Sequence, residues 1–196
     1  MIIVKKFLEK VYTELNDNIK FSEAKNAALV TLNSALISAC SSKVFDVNIA
    51  FLWRVLIALL TLSLIIPLSL SISSFIAATG SNKGLTNKIV NCYKKHYEIN
   101  EDKNQYMFYS YISCNYSQKA SKYLQKINEN VFNGTNNIDE NSEEYQLASQ
   151  IVDLSDVAYR KFVLFNIAVK IECIAFFIGG ISALGFTIWR IIVHYT

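Results

Sequence analysis

The sequence predicts an all-α integral membrane protein with three transmembrane helices and an α-helical cytoplasmic domain inserted between spans 2 and 3. Only 18% of the 196 residues are charged and 52% are apolar, which is less charge than soluble domains usually carry. Residues 55–79 and 173–189 contain no charged side chain. With their apolar flanks, both stretches are long enough to cross about 30 Å of hydrocarbon as helices.

A further uncharged stretch, residues 26–42, is rich in Ala, Ser and Asn and would insert only marginally on its own. The distribution of basic residues favours it as a span. With three spans, the five lysines of residues 1–25 share the cytoplasm with the ten basic residues of 80–162. We therefore expect a cytoplasmic N-terminus and a periplasmic C-terminus. The predicted segments are an amphipathic N-terminal helix (1–22), span 1 (23–42), span 2 (47–79), the cytoplasmic domain (80–160) and span 3 (161–194).

The segments outside the spans also have helical periodicity. Residues 3–20 carry one apolar stripe, which predicts an amphipathic helix that lies on lipid or packs on a partner. Short and longer helices are predicted for residues 85–98 and 105–129. From Glu143 an unbroken apolar pattern predicts one helix of about 50 residues that continues as span 3.

Span 1 has a polar face. Asn26, Asn33 and Cys40 are spaced by seven residues and therefore lie on one side of a helix. Lipid cannot satisfy amide groups, so this face belongs either in interhelical hydrogen bonds within one protomer or along a pore formed by several copies. Arg54, at the start of span 2, either snorkels to the outer interface or lines the mouth of such a pore.

Small residues in two spans predict close helix contacts. Ala28 and Ala35 in span 1, and Gly179 and Gly180 in span 3, are the predicted oligomer contacts.

Charge is segregated in the predicted cytoplasmic domain. Residues 83–126 contain eight lysines and three acidic residues, whereas 129–156 contain seven acidic residues and no basic one. The two halves either attract each other on packing, or the lysines and tyrosines bind a phosphorylated, aromatic ligand or anionic lipid. The candidate ligand-binding residues are Tyr93, Lys94, Lys95, His96, Tyr97, Lys119 and Lys122.

No catalytic motif is present. The sequence has no CxxC, no HExxH and no glycine-rich phosphate loop, and its four cysteines are scattered singly. We therefore expect a protein that is not an enzyme and that uses no metal or cofactor.

Two segments resemble one family. Residues 21–39 are similar to the first span of the Pycsar transmembrane effectors at Glu23, Lys25 and Asn33. Residues 143–172 resemble the helix that leads into the last span of that family. The matching positions in this helix are Gln150, Leu154, Ser155, Arg160, Lys161 and Phe162.

The resemblance implies an effector of nucleotide-signalled antiphage defence in the bacterial inner membrane. Such a protein would form a homo-oligomeric pore under the control of a cyclic nucleotide or a short single-stranded oligonucleotide, made by a partner nucleotidyltransferase or cyclase. Two alternatives stay open: a membrane-anchored interaction protein whose cytoplasmic helices recruit a soluble partner, and a holin-like toxin without ligand control. The polar face of span 1 favours the pore, because an anchor needs no such face.

Overall fold

A computed structural model describes residues 2–47, 49–75, 85–95, 105–132 and 139–195. These residues form six α-helices and no β-strand, and three of the helices are long and apolar enough to cross a membrane. The all-α, three-span prediction is therefore confirmed. The helices are α1 (Ile2–Val44), α2 (Phe51–Phe75), α3 (Leu85–Lys95), α4 (Tyr109–Tyr116), α5 (Ala120–Phe132) and α6 (Glu143–Tyr195).

The chain divides into two compact units. Unit 1 consists of Met1–Ala24 and Ile76–Val163, and unit 2 consists of Lys25–Phe75 and Leu164–Thr196. Helices α1 and α6 each contribute residues to both units.

The core of unit 1 is built on the N-terminal part of α1. Leu8, Val11 and Leu15 are completely buried, as the apolar stripe of residues 3–20 predicts. They belong to one apolar cluster with residues of α4, α5 and α6. The N-terminal helix thus packs on protein, within its own chain. Its fully buried partners are Ile112, Tyr123, Ile127, Ala148 and Ile151.

Within unit 1, α1 and α6 run parallel. Lys5 Nζ lies 2.5 Å from Glu143 Oε2, and Lys161 Nζ lies 2.6 Å from Glu23 Oε1. In each pair the two partners are 138 residues apart in sequence, so α1 and α6 keep the same register from one pair to the other.

The single helix predicted for residues 105–129 is wrong. Helix α4 ends at Tyr116 and α5 begins at Ala120. Between them, Ser117 has an extended ψ of 122° and Gln118 has a positive φ of 59°. Ser117 Oγ donates to Asp156 Oδ2, so a tertiary hydrogen bond accompanies the turn that ends α4.

The other helix predictions outside the spans agree with the structure where it describes them. Helix α6 is continuous over 53 residues from Glu143. Helix α3 covers Leu85–Lys95, and residues 96–98 of that prediction lie outside the described residues.

Unit 2 exposes large apolar side chains, as expected of helices that face lipid. Leu62 and Ile66 of α2 and Phe177 and Leu184 of α6 are all more than half exposed. The buried face of α2 instead carries Leu64, Pro67, Ser71 and Ser74.

Candidate functional site

Lys94 of α3 forms an ion pair with α6. Its Nζ lies 2.8 Å from Asp156 Oδ1 and donates to the Ser113 carbonyl oxygen at 3.2 Å. The Asp156 carboxylate also accepts hydrogen bonds from the hydroxyls of Ser113 and Ser117, both at 2.5 Å. The Lys94 ammonium thus links α3 to α4 and α6. This contact agrees with the predicted attraction between the basic segment 83–126 and the acidic segment 129–156.

Four of the remaining predicted ligand residues are exposed. Tyr93 and Lys95 lie on the last turn of α3, Lys119 lies immediately before α5, and Lys122 lies in the first turn of α5. The other two predicted ligand residues, His96 and Tyr97, lie outside the described residues. Ligand binding by this set stays a prediction.

Several of the tyrosines between the lysines belong to the core of unit 1. Tyr106 and Tyr111 are buried with their rings edge to face. Tyr123 Oη donates to the Tyr106 carbonyl oxygen at 2.7 Å, and burial raises the pKa of Tyr123 above its ordinary value. Burial also raises the pKa of Tyr116. These rings stabilise the fold and present no stacking surface for a base.

Arg160 of α6 is a buried cation with unused donors. Its side chain is 8% exposed, and its Nη2 donates to Thr86 Oγ1 of α3 at 3.0 Å. Its Nε and Nη1 are buried and meet no hydrogen-bond acceptor among the residues that the structure describes. The next residue, Lys161, contrasts with it, because Lys161 pairs with Glu23. Periodicity and composition gave no indication that one of these two adjacent cations would lack a carboxylate.

Unit 2 contains a buried polar cluster. Asn26 and Asn33 are completely buried, and Glu172 of α6 is 4% exposed. The Asn33 amide lies beside the Glu172 carboxyl. Even so, Asn33 Nδ2 and Oδ1 and Glu172 Oε1 have no hydrogen-bond partner of accepted geometry among the described residues.

The predicted pore-lining residues therefore differ in exposure within one protomer. Asn26 and Asn33 are inaccessible, and Cys40 and Arg54 are half-buried. Burial of the two amides is what the interhelical interpretation expects of a single chain, and their pore-lining role stays a prediction. Sequence reasoning missed Glu172. The only signal was one acid immediately before the uncharged stretch 173–189, where it looks like a boundary residue.

The predicted oligomer contacts also differ from one another. A β-carbon at Gly179 would lie 3.4 Å from Leu60 Cδ1 of α2, whereas at Gly180 it would meet nothing within 4 Å. Gly179 borders an apolar groove of about 290 Å³ between α2 and α6. Ala28, Ala35 and Gly180 are exposed, and their role as contacts between copies stays a prediction.

These features define a class: an all-α integral membrane protein with three helices able to span the bilayer, a buried carboxyl on the third of these helices and a tyrosine-rich helical unit. A family model described as the Pycsar effector protein domain matches residues 7–192. The chain belongs to the Pycsar effector family, as the resemblance of residues 21–39 and 143–172 predicted. A search of curated proteins and a search of solved structures found no match.

Membership of this family identifies a membrane effector of nucleotide-signalled antiphage defence, located in the inner membrane. It implies a cyclic nucleotide signal from a partner cyclase. The family is one of transmembrane effectors and is not known for enzymatic activity. Among the described residues, no group of three or more His, Cys, Asp and Glu side chains could hold a metal ion.

Proposed function

We propose that the protein forms a homo-oligomeric, ion-permeable pore that depolarises the inner membrane under the control of a cyclic nucleotide. Unit 1 senses the ligand on the cytoplasmic side, the N-terminus is cytoplasmic, the C-terminus is periplasmic, and no enzymatic step is involved. The observation that carries the proposal is the buried pair Asn33 and Glu172 in unit 2.

Polar groups without partners are costly in a membrane. An amide or carboxyl that lacks hydrogen bonds in hydrocarbon costs several kcal/mol, and intramembrane carboxyls generally mark pathways for ions or protons. A bundle that only anchored unit 1 would gain nothing from this cost. In the proposed pore, these groups meet water and ions when the protomers assemble and the helices rearrange.

The outer face of α1 supports assembly from several copies. Every residue on one outer stripe of this helix is small and exposed, with spacings that alternate between three and four residues. The outer faces of α2 and α6 carry large side chains instead. Small residues allow close backbone approach, so we assign the α1 face to contacts between copies. The stripe consists of Ala28, Thr31, Ala35, Ser38 and Ser42.

We assign ligand sensing to unit 1 because this unit carries exposed cations that can pair with a phosphate. Lys95, Lys119 and Lys122 are exposed, and Tyr93, two residues before Lys95, offers an exposed ring. Ammonium groups pair with phosphates, and an exposed ring can stack on a base. Lys94 contributes little to such a surface, since its charge is neutralised by Asp156.

Ion release from liposomes containing the purified protein tests the pore. We expect wild-type protein to release ions when a cyclic nucleotide is added, and Asn33→Leu and Glu172→Gln to reduce the flux roughly tenfold or more, because an apolar or uncharged pore wall disfavours ions. Ser69→Leu is the matched control. It places the same leucine in a spanning helix at an exposed position, where the Ser69 hydroxyl donates to the backbone carbonyl oxygen of Ile65 in the same helix.

Each result separates the candidate functions. Absence of wild-type release with every nucleotide tested would contradict the pore and favour the membrane-anchored interaction protein. Release that needs no nucleotide would favour the holin-like toxin. Normal flux in both Asn33→Leu and Glu172→Gln would keep the pore and remove these residues from its wall.

A further inference from the structure

We propose that Arg160 and the first turn of α3 form a binding site for a phosphodiester monoanion. The inference deepens the proposed function and rests on it where the anion is the phosphate of the cyclic nucleotide. A phospholipid headgroup carries the same chemical group, so the experiment below distinguishes these two sources.

The first observation is the state of the guanidinium. Arg160 has five N–H donors, of which those on Nε and Nη1 are buried without an acceptor in the described part of the chain. Its one hydrogen bond runs from Nη2 to Thr86 Oγ1. Among the described residues no carboxylate lies in an ion pair with it, although a buried guanidinium is normally paired.

The second observation is the element against which the guanidinium lies. Thr86 is the second residue of α3, a helix of 11 residues with no acidic side chain in its first turn. The first turn of a helix has free N–H groups and the positive end of the helix dipole. Arg160 therefore adds a full positive charge beside a partial positive charge, an arrangement that is unfavourable until an anion lies between them.

Two lysines of unit 1 differ from Arg160, because each of them is paired with a carboxylate. Lys161 pairs with Glu23 at 2.6 Å, and Lys94 at the other end of α3 pairs with Asp156 at 2.8 Å. Among the described residues of unit 1, carboxylates thus pair with Lys94 and Lys161, and none pairs with the Arg160 guanidinium.

A phosphodiester fits these donors better than a simple halide would. A guanidinium presents N–H groups in a planar fork that matches two phosphate oxygens, and backbone N–H groups at a helix N-terminus bind the same group. The Thr86 hydroxyl accepts from Arg160 and can also donate its own hydrogen to an anionic oxygen.

The variants for the test are Arg160→Met, Thr86→Val and the control Lys88→Gln. Arg160→Met removes the charge and keeps an unbranched apolar side chain. Thr86→Val replaces the hydroxyl by a methyl group of similar size. Lys88 is an exposed lysine of the same helix α3, so its loss changes the charge of unit 1 by the same amount as the loss of Arg160.

Full-length protein in detergent is titrated with 3′,5′-cyclic mononucleotides by calorimetry, and its melting temperature is measured with and without them. We expect Arg160→Met to weaken binding at least about tenfold and Thr86→Val by a few-fold, with Lys88→Gln within twofold of wild type. Without ligand, Arg160→Met should melt at or above the wild-type temperature, because an unpaired buried charge has been replaced by an apolar group. A purely structural arginine would give a lower melting temperature instead.

The lipid arm uses the same proteins in nanodiscs of phosphatidylcholine, whose phosphodiester is neutralised by its own choline cation, with and without phosphatidylglycerol, whose phosphodiester carries an uncompensated charge. If Arg160→Met binds nucleotide normally but loses the stabilisation by phosphatidylglycerol seen for wild type, the anion is a headgroup and the site stands. If neither nucleotide nor anionic lipid distinguishes Arg160→Met from wild type, the site is overturned.

This readout is independent of ion flux. Nucleotide binding that depends on Arg160 in a protein without flux would sustain the site and contradict the pore. Nucleotide-dependent flux that Arg160→Met retains, together with unchanged binding of nucleotide and lipid, would sustain the pore and overturn the site. Should Arg160→Met fail to fold, Thr86→Val provides the same comparison with a smaller change in side chain.

Discussion

Lys94 and Lys95 are adjacent in sequence and have opposite environments. Lys94→Glu would place a second carboxylate against Asp156, whose side chain is about one-third exposed, and we expect unit 1 to lose about 2–4 kcal/mol of stability. Lys95→Glu changes an exposed residue and should cost about 0.5 kcal/mol or less. Thermal unfolding of both variants in detergent measures the difference.

Equal melting temperatures for the two variants would show that the Lys94–Asp156 pair contributes little to folding. The expected difference also decides how ligand variants are designed. A protein altered at Lys94 loses its response through unfolding of unit 1 as readily as through lost ligand contacts. Lys95→Glu is therefore the informative change.

At the scale of single residues, sequence predicted the polar positions on α1 but not their partners. Asn26 and Asn33 share a face because their spacing of seven residues is fixed by helix geometry, and the structure buries both. Glu172 and Arg160 stand out because both are buried and both have side-chain atoms without a hydrogen-bond partner among the described residues. These properties arise only when α6 packs against other helices. No periodicity in the sequence carries that information.

Two adjacent glycines of α6 allow a matched test of how the helices of unit 2 pack. Gly179 lies against Leu60 of α2, so the side chain introduced by Gly179→Leu must displace Leu60 and should destabilise the protomer by about 1–3 kcal/mol. Gly180→Leu points into open space within the protomer and should leave its stability within about 0.5 kcal/mol. Melting temperature reports the protomer, and elution volume in detergent reports assembly.

If Gly180→Leu changes neither the elution volume in detergent nor the toxicity of the expressed protein to bacterial cells, Gly180 is not an oligomer contact. If Gly179→Leu melts as wild type, the close approach of α2 and α6 at Leu60 is not essential for packing. Both results are read against the same leucine introduced at Ser69, which is exposed on α2.

Whole helices were predictable where apolar periodicity was long and unbroken, as in α6 and the N-terminal part of α1. The break between α4 and α5 was not. Residues 117–119 read Ser-Gln-Lys, with neither Gly nor Pro to mark a turn, and Gln118 adopts its positive φ beside a serine held by Asp156. Tertiary hydrogen bonding overrode local propensity there.

Orientation in the membrane is a property of the whole molecule, and the lysine distribution predicts it. In a variant without native cysteines, we expect a membrane-impermeant thiol reagent applied from outside to label Val47→Cys and to miss Asn136→Cys. Val47 lies between α1 and α2 and is highly exposed in the protomer. Labelling of intact cells, followed by labelling after lysis, makes the comparison.

Lysis should render Asn136→Cys reactive, which controls for a thiol that is merely buried. External labelling of Asn136→Cys in intact cells would place the segment between spans 2 and 3 in the periplasm. It would also remove the proposed access of unit 1 to a cytoplasmic nucleotide.

The two ion pairs between α1 and α6 have opposite polarity. At one, lysine is on α1 and glutamate on α6, and at the other the two are exchanged. Because both pairs share one offset, sliding either helix by a single turn, about 5.4 Å, would break both at once. Both ion pairs therefore favour the same register of α1 and α6 within unit 1, and sliding of one helix along the other is disfavoured there.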